Sequence, residues 1–507
     1  MTSESNIYEM RSILKELENN PKASSIKKLN NYILKYPDDM IARYNLSVVL
    51  EKTGDKKNAI INYKIILKKT PYHWQSKINL CLIYFHLNRF EEALLLINEV
   101  LIIKPNYQSA LREKAHILYK LNDLEGALNS IIPSVKLNVK DVIALNIMGM
   151  IYSGLKNFKL AISIYQKAIE LNKRYYPSYS NISKCLVALN EREEAILYLN
   201  QCLKLNPNFI EANNNLANIY NTSANYDKAI QLYNKILLSN RDHPDVNLNI
   251  AIAYFHNKEY EKAKKYFEIF KKINPNNDKF KKNYSFFLLF KQEYKEAWEF
   301  SDGRLDLQEF IKKDSWIANF KEKIWQGEKL NKEDRILIVK EQGVGDEILY
   351  STMYPEALDY FSNIQIEVEE RLLSIFQRSY KNSEKFFPAL SISNNKEKLK
   401  KIKKIIFSAS LGRLFRNSKQ EFPEENSLKP NENIFKKIKN KLNKVTKKKL
   451  IGLSWKSKRV FYGKAKSIDL STFLPLFKNK NFSFINLQYG DVDDDLLKLK
   501  NDFNIEI

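Results

Sequence analysis

Cysteine and histidine are scarce, and neither is placed for chemistry. The three cysteines, Cys81, Cys185 and Cys202, stand well apart in a chain of 507 residues, which argues against a disulfide framework or a thiolate metal site. All five histidines fall before residue 257, so these residues give the region beyond it no imidazole. Long apolar runs are also missing. "SFFLLF" (285–290) is the most apolar stretch, and lysines enclose it too closely for a membrane span. The opening "MTSESNIYEMRS" lacks the apolar core of a secretory signal, so the expected location is cytoplasmic.

What is present makes a globular chain with room for two to four domains: 44% of residues are apolar and 12% aromatic. The formal charge of +24 points toward nucleic acid only superficially. The basic residues are mostly lysine, spread along the chain, and accompanied by abundant Asn and Ile, a bias that an AT-rich genome produces. The sharpest run, "KEKLKKIKKIIF" (396–407), reads equally as the solvated face of a short element. Nucleic acid is not expected as a partner, nor a bound metal or other cofactor.

A period of 34 runs through the first 300 residues. Pro37, Pro71, Pro105, Pro207 and Pro275 lie on one lattice of that period. Twelve residues before its nodes stand Ala59, Ala93, Ala127, Ala161, Ala195, Ala229 and Ala263, with Ala297 continuing the series. A second small-residue series reads Ser47, Cys81, Ala115, Gly149, Ser183, Ala217, Ala251 and Ser285. Small residues at two fixed points let paired helices cross closely, and proline ends the second helix. The pattern resembles the tetratricopeptide repeat, implying an α-solenoid over residues 6–311 with a protein- or peptide-binding concave face. Cys81 and Cys202 then fall on packing positions.

The sixth position of these repeats carries Asn45, Asn79, Asn181, Asn215, Asn249 and Asn283, interrupted by Glu113 and Ile147. Amides supply donor and acceptor together, so such a ladder can hold an extended peptide without reading its sequence. It resembles the repeat region of O-linked N-acetylglucosamine transferases, which implies peptide binding. Asparagine is also frequent in this chain, and that frequency is the competing explanation.

Beyond residue 311 the pattern changes to strands alternating with helices: "RILIV", "IQIEVE" (364–369), "KIIFSAS" (404–410), "LIGLSW" (450–455) and "FSFINLQ" (482–488). This alternation predicts a mostly parallel sheet. A Lys- and Asn-rich stretch (429–449) divides the region into units at 312–445 and 446–507. In "RILIVKEQGVGDEILY" (335–350) a buried strand meets Gly343 and Gly345, read as a tight turn allowing close backbone approach. Both common nucleotide fingerprints fail here. Ile348 stands where a dinucleotide loop needs glycine, and Asp346 and Glu347 stand where a Walker loop needs lysine and a hydroxyl.

Together "EQGVGDEILY", "SLGRLFR", "IGLSWKSK", "KSIDL" and "INLQYG" resemble bacterial proteins that join tetratricopeptide repeats to a domain of glycosyltransferase family nine, the heptosyltransferases. The resemblance implies a GT-B fold of two Rossmann-like halves, a nucleotide-sugar donor as substrate, and Asp346 as the general base, with Gly343, Gly345 and Glu347 on the acceptor loop. Capping of the following helix is the alternative role for Asp346, and Glu341 and Glu347 are the other nearby acids. In the second half the resemblance places donor-facing residues at Lys456, Lys466 and Ser467, with Gln488 and Tyr489 weaker candidates. It also implies that the donor half extends past Ile507, so the chain is expected to be truncated. The expected activity is sugar transfer to a protein or peptide acceptor held by the repeats. The rival is a non-catalytic scaffold with a degenerate transferase domain.

Overall fold

The computed structural model describes residues 9–10, 12–13, 23–305, 316, 320–341, 343–424, 428–457 and 467–506. The chain divides into two compact units, Met1–Ile219 and Tyr220–Ile507, so the division falls inside the repeats. No helix among the described residues is long and apolar enough to cross a membrane.

The first unit is built of helical hairpins such as Trp74–His86 with Phe90–Ile103 and Val142–Gly154 with Phe158–Leu171. Its periodic alanines, Ala59, Ala93, Ala127, Ala161 and Ala195, are all fully buried, as are Ser47, Cys81, Ala115, Ser183 and Ala217 of the second small series. Gly149 shows why size matters there. A Cβ at that position would come within 2.5 Å of the Tyr165 ring. Burial pushes the Cys81 and Cys202 thiols up to about 12, leaving both as inert packing groups.

Sequence reading missed the turn inside each hairpin. Asn88, Asn122, Lys156 and Asn190, spaced by 34 residues, take left-handed backbone, as does Gly54 one period earlier. After the left-handed residue the next amide closes the helix end, for example Arg89 N–H to the Tyr84 carbonyl at 2.9 Å. Only one of these positions is glycine, so composition hides the motif. Asparagine tolerates the conformation best among the others.

The second unit continues the hairpins through Tyr226–Ser239, Pro244–His256, Tyr260–Ile273, Asp278–Phe290 and the short Tyr294–Phe300. It then forms a four-stranded, wholly parallel sheet of order β3-β2-β1-β4. The strands are β1 Ile336–Val339, β2 Ile364–Val368, β3 Phe386–Pro388 and β4 Lys404–Phe407. Strand β1 is buried on both faces: Ile336 and Ile338 enter one core with Phe376 and Tyr354, while Leu337 and Val339 enter another with Leu399 and Phe320. The sequence predicts three strands here and the structure has four. The extra one is short and ends in Pro388, which an edge strand tolerates and a composition-based reading passes over. The other edge is covered in part, since Ile324 bridges to Ile405 and Trp325 N–H bonds the Ile405 carbonyl. A separate parallel pair, β5 Lys449–Leu453 and β6 Phe482–Asn486, follows the exposed helix Glu432–Val445.

Candidate functional site

Because β2 and β4 flank β1 on opposite sides, the strand order reverses at β1, and in open parallel sheets a crevice opens there at the carboxyl ends of the strands. The chain leaves β1 through Lys340 and Glu341 and enters the helix Val344–Tyr350 behind Gly343. Gly343 has φ −94° and ψ 170°, and Gly345 is not among the left-handed glycines. The turn therefore does not demand glycine for its backbone angles, which corrects that part of the sequence reading. At Gly345 a Cβ would meet nothing within 4 Å, so that side of the first helical turn faces open space.

Asp346 is half-buried on that turn, and its Oδ2 accepts the Gly343 N–H at 3.2 Å. This is a capping bond made from the third helical position. One oxygen is held by it, and the carboxylate keeps further acceptor capacity.

The neighbouring acids are engaged internally. Glu347 is almost fully buried, and its Oε1 accepts the Glu369 N–H at 2.9 Å, tying the turn to the end of β2. Burial pushes its carboxyl up, against the opposing pull of that amide and of Lys340. Lys340 pairs with Glu369, which also takes Arg371 at 3.1 Å, and these partners hold the Glu369 carboxyl down. Glu341, also buried, receives Arg304 through Nε at 2.9 Å and a second guanidinium nitrogen at 3.0 Å, and the Ala409 N–H at 2.7 Å. Arg304 additionally donates to Ser410 Oγ at 2.7 Å. A side chain from the end of the last hairpin thus grips the ends of both β1 and β4. Sequence reading missed Arg304, because nothing local distinguishes a buried arginine from the many exposed basic residues.

In the second sheet Gln488 is buried, and its amide is consumed by the 454–456 loop. Its Oε1 accepts from Ser454 Oγ at 3.0 Å and from the Trp455 and Lys456 amides at 2.8 Å each. Its Nε2 donates to the Lys456 and Tyr489 carbonyls at 3.0 and 3.1 Å. Both amide protons are used, so Gln488 organises the loop. Lys456 Nζ pairs with Asp495 at 2.5 Å, and Ser467 Oγ accepts the Ser457 N–H at 2.9 Å. Tyr489 is exposed. Lys466 lies outside the described residues.

The asparagine series occupies the first helices of the hairpins, with Asn249 buried and the other five half-buried. In the first unit three of its members join successive first helices. Asn79 Nδ2 donates to Tyr44 and Tyr63 hydroxyls at 3.3 and 3.0 Å, Asn181 to Asn146 Oδ1 at 3.0 Å, and Asn215 to Ser180 Oγ at 3.2 Å. Asn45 bonds its own Ile41 carbonyl at 3.0 Å. In the second unit Asn249 accepts from Lys279 Nζ at 2.8 Å, and Asn283 donates to the Lys279 carbonyl at 2.7 Å. The amides are thus not idle surface groups. Among the described residues no cluster of three or more His, Cys, Asp or Glu is arranged to hold a metal ion.

Tetratricopeptide-repeat family profiles match residues 143–175, 192–248 and 222–282. The matched residues are tetratricopeptide repeats, and the remaining helices between Ala23 and Phe300 continue the same hairpin pattern within each unit. Among curated proteins the chain is similar to protein FlbA of Caulobacter vibrioides, with 27% identity over 202 residues, 36% of this chain and 33% of FlbA. It therefore spans about a third of that relative's length. A tetratricopeptide repeat protein from Parabacteroides merdae has 16% identity and a TM-score of 0.46, over 50% of this chain and 99% of its own. TTC0263 of Thermus thermophilus has 24% identity and a TM-score of 0.35, over 36% and 99%. The repeat assignment rests on the profiles and on the hairpins themselves.

Proposed function

We propose that the repeats hold a protein or peptide acceptor for a glycosyl-transfer site at the carboxyl end of β1. The observation that carries this reading is the placement of Asp346. A carboxylate with spare acceptor capacity sits on an open glycine turn, beyond the central strand of a parallel sheet at its order reversal. In the proposed step an acceptor hydroxyl oxygen bonds to the anomeric carbon of a nucleotide sugar. The bond from that carbon to the diphosphate oxygen breaks, the proton passes to Asp346, and the nucleoside diphosphate leaves. The GT-B architecture and the cytoplasmic location, where nucleotide sugars are made, belong to the same proposal.

The engagement of Gln488 by the 454–456 loop and of Lys456 by Asp495 favours a second reading, in which the α/β region only positions partners of a repeat scaffold. Asp346→Asn separates the two. Asparagine keeps an oxygen for the Gly343 N–H, so the melting temperature stays unchanged. Loss of a general base lowers turnover by roughly 10²- to 10⁴-fold. The measurement is nucleoside diphosphate release from a panel of nucleotide sugars by the full-length protein. No release from the unsubstituted protein, or full activity of the variant, removes Asp346 as the base.

A further inference from the structure

The amino ends of the strands, on the far side of the first sheet from Asp346, carry a second feature. Arg335 precedes β1, Lys385 precedes β3, and Lys398 and Lys401 precede β4; all four line one cavity of about 320 Å³ together with Asn363 and Gln365 at the start of β2. Among the described residues no carboxylate lines it. The neighbouring lysines of the same basic run are neutralised: Lys400 pairs with Glu397 at 2.8 Å, Lys403 with Asp334 at 2.7 Å and Lys404 with Glu328 at 2.5 Å. By contrast, among the described residues the four cavity cations form no ion pair, and the Lys398 ammonium reaches only the Ser391 carbonyl at 3.3 Å. The Gln365 amide makes no hydrogen bond there either, while Asn363 is held by the Glu333 carbonyl at 3.2 Å.

Like charges brought together by three separate segments repel unless an anion joins them. The nearest intrinsic compensation is the pull of Glu397, already paired with Lys400, on Lys401, together with a helix end. Lys396–Lys400 finishes next to the cavity residue Lys401, and a helix carboxyl end supplies about half a negative charge, less for a helix this short. Together these leave most of the positive charge of the four cations unbalanced.

We infer that this cavity binds a small phosphoryl anion of the diphosphate class. Lysines act as point charges toward phosphate oxygens, the arginine fork can bind two of them, and Gln365 adds a neutral donor. The site is separated from the Gly343–Asp346 turn by the length of β1, about 13 Å. It stands independently of the glycosyl-transfer reading.

The test is titration of the full chain with inorganic pyrophosphate, followed by calorimetry and by thermal melting. Wild type binds and its melting temperature rises. Arg335→Gln/Lys401→Gln binds at least tenfold more weakly, and its ligand-free melting temperature is equal or higher because repulsion has been removed. Lys436→Gln/Lys439→Gln, on the exposed helix Glu432–Val445, removes the same charge elsewhere and leaves binding intact. Absence of binding by wild type overturns the proposal. So does retention of binding by the cavity variant, or an equal loss in the control. If the double variant melts lower than wild type, Lys401→Gln alone is titrated, and unchanged binding by it overturns the proposal.

Discussion

His116 lies on the helix Gln108–Lys120, its ring 4.5 Å from that of Phe85. Burial first, then Lys120, His86 and Arg112, press its pKa down to about 4. In the unfolded chain a histidine titrates near 6.5. Between those values the unfolded state takes up the proton and the folded state does not, so stability falls as pH drops through that window and is flat above it. A depression of this size corresponds to roughly 2–3 kcal/mol across the window. Unfolding midpoints in urea at pH 7 and pH 4.5 measure it. His116→Phe, which preserves the aromatic packing, should remove a large part of the slope, leaving the portion due to other groups such as His73 and His256, whose pKa values burial also lowers. An unchanged slope in the variant would place the pH sensitivity elsewhere.

At the scale of elements, Asn79, Asn181 and Asn215 have a mechanical role in joining successive helices. Asn181 and Asn215 each reach the first helix of the preceding hairpin, where Asn146 and Ser180 are both buried. Removing a donor leaves such an acceptor short of a partner, and a hydrogen bond of this kind contributes about 0.5–1.5 kcal/mol net. Asn181→Ala/Asn215→Ala should therefore lower the stability of the first unit by about 1–3 kcal/mol with the helix content retained. Circular dichroism during urea unfolding measures both quantities. Stability equal to wild type would mean that the amides serve a ligand alone. This changes what a loss of peptide binding can mean: affinity lost in step with stability reports loosened packing, whereas affinity lost beyond it reports direct contact.

At the scale of the whole molecule, the second unit is where repeat and sheet become one structure. Trp298 Nε1 donates to the Arg416 carbonyl at 2.6 Å, and a Cβ at Gly412 would lie 2.4 Å from the Trp298 ring. Arg304 completes the junction by pairing with Glu341 in a site where both side chains are at most 5% exposed. Removing one partner from a buried pair strands the other charge and costs about 3–5 kcal/mol. Arg304→Met should destabilise the second unit by about that much. Four of the five tryptophans belong to this unit, so fluorescence reports its transition selectively. A loss below about 1 kcal/mol would show the pair to behave as a solvated one.

The repeats were legible in sequence because close helix crossing depends on local residue size at a fixed spacing, and the alanine series carries that spacing without a slip. Apolar runs announced β1 and β4 for a similar reason, since a strand buried on both faces needs them, while β2 showed itself by the alternation of Ile364, Ile366 and Val368 with polar residues. The Gly343–Asp346 turn was visible as a strand-to-helix junction. What decided the rest is contact between residues far apart in the chain. Strand β3 exists because Phe386–Pro388 can pair with β2, not through its own propensity. Glu341, Glu347 and Asp346 are neighbours with equal local claims as the acid. Folding gives Glu341 to Arg304 and Glu347 to the Glu369 amide, and it leaves Asp346 on the open turn. The amides of Asn181 and Gln488 look available in sequence. The backbone and side chains that occupy them arrive from 35 and 32 residues away.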